Sequence, residues 1–368
     1  MNENHEKYIN ECFRLAKLGA GAVSPNPLVG AVIVKNGKII SSGYHERYGS
    51  LHAEANAIKN ANENLEEAIL FCNLEPCSHT DKQTPPCAPL IIKSGIKKVV
   101  ICNLDPNPKV SGNGIRMLRE AGIEVITGTA EKEGAELNKF FFKYITQKIP
   151  YITIKIAQTL DGKIALNNSE TTITGAESKK FVHSLRAKYD AVLIGANTVK
   201  IDNPKLNVRE VEGRNPIRII LSKHLSFPAD SFIIKSSKDQ KTWIYTTDET
   251  DINSRFLDNS NEFDSGYNSL NKTIFYPENL TIIKGKTDIP SILKNLAKEK
   301  ITSILIEGGS NVFSQFIDSE MYDELILLIA PKILGDGLPS FISNKIQKLK
   351  LISSDRLGED IKLVYRKF

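Results

Sequence analysis

The sequence predicts an α/β protein of two domains, and three observations carry that prediction. At 368 residues the chain is longer than a single hydrophobic core usually serves. Strand-like and helix-like runs alternate from end to end, as in layered α/β folds. The chemistry-bearing motifs also separate. A cluster of metal-binding residue types lies in the first part, and a paired-glycine turn of the kind that meets phosphates lies in the second. The expected division is 1–147 and 148–368, with Lys148-Ile149-Pro150 at the join.

The first domain opens with an amphipathic helix marked by Ile9, Cys12, Phe13, Ala16 and Leu18. LVGAVIV and KIISSGYH form a hairpin about Asn36-Gly37, a pair that accepts the positive φ of a tight turn. A helix follows His52, then a buried strand from Ala68 to Leu74, stopped by Pro76. Cys87 opens the helix APLIIKSG, which Gly95 ends. Next come the strand KKVVICNL, the helix GIRMLREAG and the strand IEVITG. One amphipathic stretch, EKEGAELNKFFFKYITQ, closes the domain.

Within it, His52-Ala53-Glu54 is followed by Pro76-Cys77 and Pro86-Cys87. One imidazole and two thiolates give Zn²⁺ three protein ligands and leave the fourth tetrahedral position open to water. Residues two apart point to nearly opposite sides of a continuous helix, so His52 and Glu54 share a site only if His52 sits at the irregular first turn. Glu54 is then the proton shuttle, the catalytic group of the H-x-E…P-C…C arrangement found in zinc deaminases. A closed structural zinc site would need a fourth ligand, for which His79 is the candidate, and would leave Glu54 without a purpose. Cys12, Cys72 and Cys102 read as small buried hydrophobes, and an odd cysteine count argues against a disulfide framework.

The second domain begins with YITIKIAQTLDGKIAL, a turn between two strand-like runs that carries Lys155. It continues through the helix TGAESKKFVHSLRAKY, the strand DAVLIG, and further strands NPIRIIL, TWIYTT and LTIIKG. The helix IPSILKNLAKEK leads to ITSILIEGGSNVFSQFID, read as strand, turn and helix, and the strands ELILLIA and IKLVYRKF end the chain. Residues 248–272, rich in Asn, Asp and Ser, read as a surface excursion. Gly308-Gly309-Ser310 lets backbone N–H groups approach a phosphate at a helix start, or else makes a plain tight turn. Glu307 stands beside it at a strand end, either facing a ligand or as a solvated turn residue. Arg186 and Arg209 suit bidentate capture of a phosphate, although on charge alone an arginine is more often a surface residue.

Composition narrows the class. Apolar residues make up 41% and charged residues 25%, ordinary values for a globular protein. No apolar run is long enough to span a bilayer, and the polar start MNENHEKYINE does not read as a secretion signal, so the cytoplasm is expected, with no membrane partner. A net charge of +5 suits anionic small molecules as well as nucleic acid. Arginines and aromatics do not interleave near the metal motif as a nucleic-acid groove would require.

Taken together, these residues resemble the bifunctional riboflavin-biosynthesis deaminase/reductase family of bacteria. The likeness covers essentially the whole chain. It rests on SPNPLVGAVIV (24–34), GYHERYGSLHAEANAI (43–58), LEPCSHTDKQTPPC (74–87) and DPNPKVSGNGI (105–115) in the first half. In the second it rests on KIAQTLDGKIA (155–165), LRAKYDAVLIGANTVKIDNPKLNVR (185–209), NPIRIIL, IEGGS and APKILG. The resemblance implies a cytidine-deaminase-like layer sandwich followed by a dihydrofolate-reductase-like domain. The first would deaminate 2,5-diamino-6-(5-phosphoribosylamino)pyrimidin-4-one; the second would reduce the ribosyl group to ribityl with NADPH. It implies His52, Cys77 and Cys87 at Zn²⁺, Glu54 as shuttle, and Asn26 and His45 in the pyrimidine pocket. Ala157, Thr198, Asp202, Gly308, Gly309 and Ser310 fall where the family contacts NADPH. Lys155, Arg186, Leu206, Arg209 and Glu307 fall where it holds the phosphoribosyl substrate. The family also implies a homo-oligomer.

Two departures stand out. The stretch from Cys77 to Cys87 is one residue longer than usual and carries Lys82, and Thr172 stands where a Trp is usual, with Thr171 matched to a substrate-binding serine. The alternative function is a zinc deaminase of nucleosides or RNA bases with a C-terminal domain that is not a reductase.

Overall fold

In a computed structural model of the chain, the described residues are 3–78, 84–108, 110–166, 171–247, 267–268, 273–276, 279–285, 287–343 and 345–368. His79 and Lys82 lie outside them, as does most of the 248–272 excursion. The chain divides into two units, Met1–Ile149 and Pro150–Phe368.

In the first unit, α1 (Glu3–Ala16) precedes the hairpin β1 (Gly30–Lys35) and β2 (Lys38–Tyr44). Then come α2 (Ala53–Lys59), β3 (Ile69–Leu74), α3 (Cys87–Lys93), β4 (Lys98–Asn103), α4 (Asn113–Glu120), β5 (Glu124–Thr127), α5 (Glu131–Leu137) and α6 (Lys139–Gln147). The strands form one sheet in the order β2-β1-β3-β4-β5, antiparallel up to β3 and parallel beyond it. Strand side chains alternate between two cores. Ala31, Ile33, Leu70 and Cys72 face the layer with Ala57, Ile91, Leu118 and Phe141, while Val32, Val34, Phe71 and Val100 face Ile9, Cys12 and Phe13 of α1. This is the expected layer sandwich. The closing amphipathic stretch forms two helices. Asn138 breaks it at φ −104°, ψ 21° because its side chain is committed elsewhere: Oδ1 accepts the Leu28 N–H at 2.8 Å and Nδ2 donates to the Leu28 carbonyl at 3.0 Å.

The second unit starts with β6 (Tyr151–Thr159), β7 (Lys163–Ala165), α7 (Ala176–Lys188), β8 (Ala191–Gly195), α8 (Ala196–Asp202) and β9 (Ile217–Leu221). It continues with α9 (Phe232–Lys235), β10 (Thr242–Thr246), β11 (Tyr267–Asn268), β12 (Thr273–Tyr276), β13 (Leu280–Lys284) and a helix Ile289–Lys298, here α10. β14 (Ser303–Gly308), the helix Ser310–Asp318 (α11), β15 (Glu324–Ala330), β16 (Leu338–Pro339), β17 (Leu349–Leu357) and β18 (Asp360–Lys367) complete it. α10 begins as its sequence dictates: Asp288 caps it by accepting the Ser291 N–H at 3.0 Å, a Pro occupies the first turn, and Ile289, Ile292, Leu293 and Leu296 are buried.

The main sheet has the order β11-β12-β13-β10-β9-β8-β14-β6-β15-β18-β17. From β13 to β15 every pairing is parallel. β14, formed late in the chain, inserts between β6 and β8. That reversal of strand order opens a crevice at the carboxyl ends of β8, β14 and β6, where ligands of open α/β sheets bind. Among the described residues, β11, β12, β16 and β17 escaped the sequence reading. β17 carries the mixed run LKLISSDRL on the sheet edge, so it lacks the apolar alternation of a buried strand. Within the expected surface excursion, Tyr267 and Asn268 pair with β12.

Candidate functional site

The metal-binding residues converge from three elements. His52 is the N-cap of α2, at φ −74° and ψ 164°, outside the helical geometry that Glu54 already shares. This break in direction is what lets residues two apart face one site. Cys77 follows the end of β3, and Cys87 is the first residue of α3 behind Pro86. His52 Nδ1 lies 3.5 Å from Cys77 Sγ and 3.3 Å from Cys87 Sγ. Tetrahedral zinc at ordinary bond lengths sets nitrogen and sulfur ligands about 3.6 Å apart, so the donor set fits the ion. His52 Nε2 lies 3.3 Å from the Thr84 hydroxyl, which leaves Nδ1 as the metal-facing nitrogen.

Glu54 is buried beside them. Burial pushes its carboxyl up from the ordinary value, the neighbouring His52 opposes this, and the Cys77 thiol adds to it. These groups open into a cavity of about 500 Å³ whose wall includes Asn26, His45, Tyr48, Asp105, Asn107, Phe141 and Tyr144. Asn26 and His45 act as a unit there. His45 Nδ1 donates to the Leu51 carbonyl at 3.0 Å, so Nε2 accepts from Asn26 Nδ2 at 3.1 Å. The bond to Leu51 also fixes the backbone immediately before His52.

The second unit holds a larger cavity, of about 970 Å³, at the crevice described above. Ala157, Thr198, Asp202, Gly308, Gly309 and Ser310 line it, as do Lys155, Arg186, Arg209 and Glu307. Gly308 has φ +157°, and Thr198 Oγ1 lies 3.2 Å from where a Cβ on Gly309 would stand. The Ser310 hydroxyl, at the start of α11, is buried with no hydrogen-bond partner among the described residues. A side-chain-free turn and an unsatisfied hydroxyl at a helix start fit the phosphates of a dinucleotide.

Glu307 organises the cations. It accepts two hydrogen bonds from Arg186, from Nε at 2.6 Å and Nη2 at 2.8 Å, and pairs with Lys155 Nζ at 3.3 Å. Burial alone would push its carboxyl up, but Arg186 and Lys155 outweigh that and hold it at about 2. Arg186 was expected to present its fork to a substrate phosphate. It lines the cavity with Nε and Nη2 on Glu307 and with Nη1 donating to the Asn207 carbonyl at 3.2 Å. Leu206, also expected at the substrate, is buried. It is absent from the cavity wall, and its φ of +51° turns the side chain into the core with Val192, Ile220 and Ile244.

Among the wall residues that escaped the sequence reading, two matter most. His183 stands one helical turn before Arg186 on α7 and accepts the Arg209 backbone N–H at Nδ1, 3.1 Å away. Burial, then the charges of Arg186 and Arg209, lower its pKa to about 4, so it is neutral at pH 7. The i, i+3 spacing to Arg186 was the available signal. Glu75 is the other. Thr171 lines the second cavity, its hydroxyl accepting the Leu166 N–H at 3.0 Å.

Comparison with known proteins agrees with both halves of this geometry. Residues 150–363 match the family described as RibD C-terminal domain, and residues 2–103 match the cytidine and deoxycytidylate deaminase zinc-binding region. The chain is 40% identical to the riboflavin biosynthesis protein RibD of Aquifex aeolicus, over 100% of both chains. It is 38% identical to that of Bacillus amyloliquefaciens, over 97% of this chain and 95% of the other. The crystal structure of the Thermotoga maritima diaminohydroxyphosphoribosylaminopyrimidine deaminase/5-amino-6-(5-phosphoribosylamino)uracil reductase superposes with a TM-score of 0.88 at 37% identity, covering 99% of each chain.

Proposed function

The chain belongs to the RibD family of bifunctional riboflavin-biosynthesis enzymes, and from that premise we propose how its residues divide the two reactions. The enzyme is a zinc-dependent deaminase and an NADPH-dependent reductase. The match of 150–363 to the family's C-terminal domain sets aside an RNA-base deaminase with an unrelated second half. The observation that carries the residue assignment is the His52, Cys77 and Cys87 cluster, whose ligand atoms lie within 4.8 Å of one another beside buried Glu54.

In the first unit, His52 Nδ1 and the two thiolates hold Zn²⁺, which when bound lowers the pKa of a water toward about 7. Glu54 takes a proton from the attacking water and gives it to the pyrimidine ring nitrogen, then carries the adduct's hydroxyl proton to the amine, which leaves as ammonia while the ring carbon keeps the oxygen. Asn26 and His45 border the ring. In the second unit the Gly308–Ser310 turn and Thr198 receive the cofactor phosphates, with Ala157 and Asp202 completing its bed. NADPH supplies the hydride. Lys155, held by Glu307, faces the substrate, and Arg209 meets its phosphate; Arg186 positions Glu307 rather than gripping the substrate.

Mass analysis of 2,5-diamino-6-(5-phosphoribosylamino)pyrimidin-4-one after incubation with the zinc-loaded enzyme tests the reading. Replacement of one amine by oxygen is expected with or without NADPH, and two added hydrogens only with NADPH. An unchanged mass in both samples would sink it.

The chain acts as a homo-oligomer in this reading. Ile333, Phe341, Ile342, Ile346, Leu351 and Ile352 are exposed close together in sequence, around edge strand β17. Light scattering should give a multiple of 40.9 kDa; the monomer mass at micromolar concentration would overturn this point. A cytoplasmic location is supported by five cysteines without a disulfide, and no helix among the described residues is long and apolar enough to cross a membrane.

A further inference from the structure

We propose that Glu75 is a positioning residue of the deamination site, its carboxylate holding the 105–112 segment in place as one wall of the cavity around His52 and Glu54. Glu75 follows β3 directly and is 3% exposed. Its Oε2 accepts the backbone N–H groups of Asp105 at 3.3 Å and Gly112 at 3.0 Å. Oε1 accepts those of Gly114 at 3.1 Å and Ile115 at 3.4 Å. One side chain thus gathers both ends of the segment and two buried first-turn N–H groups of α4, which have no partner within the helix. Only a carboxylate suits this place: every donor is a backbone N–H, and a neutral amide would turn its own N–H groups against two of them.

The segment held in this way reaches the chemistry on two sides. Asp105 and Asn107 line the deaminase cavity, and Asp105 Oδ1 accepts the Asn107 N–H at 2.8 Å. Val110 is fully buried against Cys77 and Cys87. Gly114 lets α4 press onto this corner, since a Cβ there would stand 2.0 Å from the Pro76 carbonyl oxygen. Glu75 precedes the Pro-Cys pair in the chain, so it fastens the substrate wall to the same short stretch that supplies a metal ligand.

The inference rests on reading that cavity as the deamination site. The two activities of the full chain provide an internal control. In E75Q, bound zinc and the reduction of deaminated substrate should match the parent enzyme. KM for deamination should rise roughly tenfold or more, with a smaller fall in kcat. N107A should also raise KM, and the double variant should fall short of the product of the two effects, because Glu75 acts through the segment that carries Asn107. If E75Q does not fold, E75D provides the same comparison, its shorter carboxylate unable to span all four donors. An unchanged KM, fully multiplicative effects, or loss of zinc together with deamination would overturn the inference. A zinc-loaded parent enzyme that does not deaminate would instead overturn the reading of the cavity.

Discussion

Glu54→Gln should abolish deamination while the chain keeps its zinc and its reductase activity. The substitution preserves shape in an enclosed position and removes the buried carboxylate in the first turn of α2, the helix that His52 caps. Deamination needs a group that takes protons from the attacking water and passes them to the ring nitrogen and then to the departing amine, and an amide can do neither. A loss of roughly 10²–10⁴-fold in kcat is the expected scale for a positioned acid–base group. Zinc stays because its ligands are His52, Cys77 and Cys87. Zinc content and both activities, measured on one preparation, give the answer. Residual deamination within about tenfold of the parent would remove Glu54 from its role, since that is well short of an acid–base contribution.

Glu307→Gln should disable reduction and weaken the second unit while deamination continues. The carboxylate is 5% exposed and is shared by Lys155 and Arg186, both nearly as enclosed. Removing it leaves two positive groups buried together without a counter-charge, which costs about 3–5 kcal/mol. The pH dependence has a definite sign. The folded pKa is depressed from 4.5 to about 2. The carboxylate's contribution, about 3 kcal/mol, is therefore fully present above the unfolded value and is lost as pH falls through about 2. The parent protein should thus owe stability to this group throughout the neutral range, and the variant should melt earlier at pH 7. Equal melting temperatures with unimpaired reduction would mean that the cluster is ornamental.

The metal site was legible because its chemistry is written locally. His52 and Glu54 are two residues apart, each cysteine follows a proline, and zinc tolerates few other arrangements. The carboxyl-end crevice was legible for the same reason: Glu307, Gly308 and Gly309 are consecutive, and strand, turn and helix are short-range signals. What escaped depended on partners distant in sequence. Arg186 reads as a phosphate grip until Glu307, 121 residues later, is seen to occupy its fork. Leu206 falls within a motif, but a single positive φ decides which way its side chain turns. Asn138 ends a helix because of Leu28, 110 residues earlier. Glu75 bonds only to backbone N–H groups, which leave no mark in the side-chain pattern.

The tie between Leu28 and Asn138 also sets an order of events during synthesis. Pro25, Asn26 and Pro27 form one side of the deaminase cavity, and Phe141, Tyr144 and Ile145 form another. The metal ligands and Glu54 all leave the ribosome before the helix carrying Phe141. Every metal-ligating residue is thus synthesised before the side of the pocket that belongs to the helix Asn138 ties back to Leu28. A chain ending between Cys87 and Asn138 would contain all three metal ligands and Glu54 but lack Phe141, Tyr144 and Ile145, one side of the cavity around them.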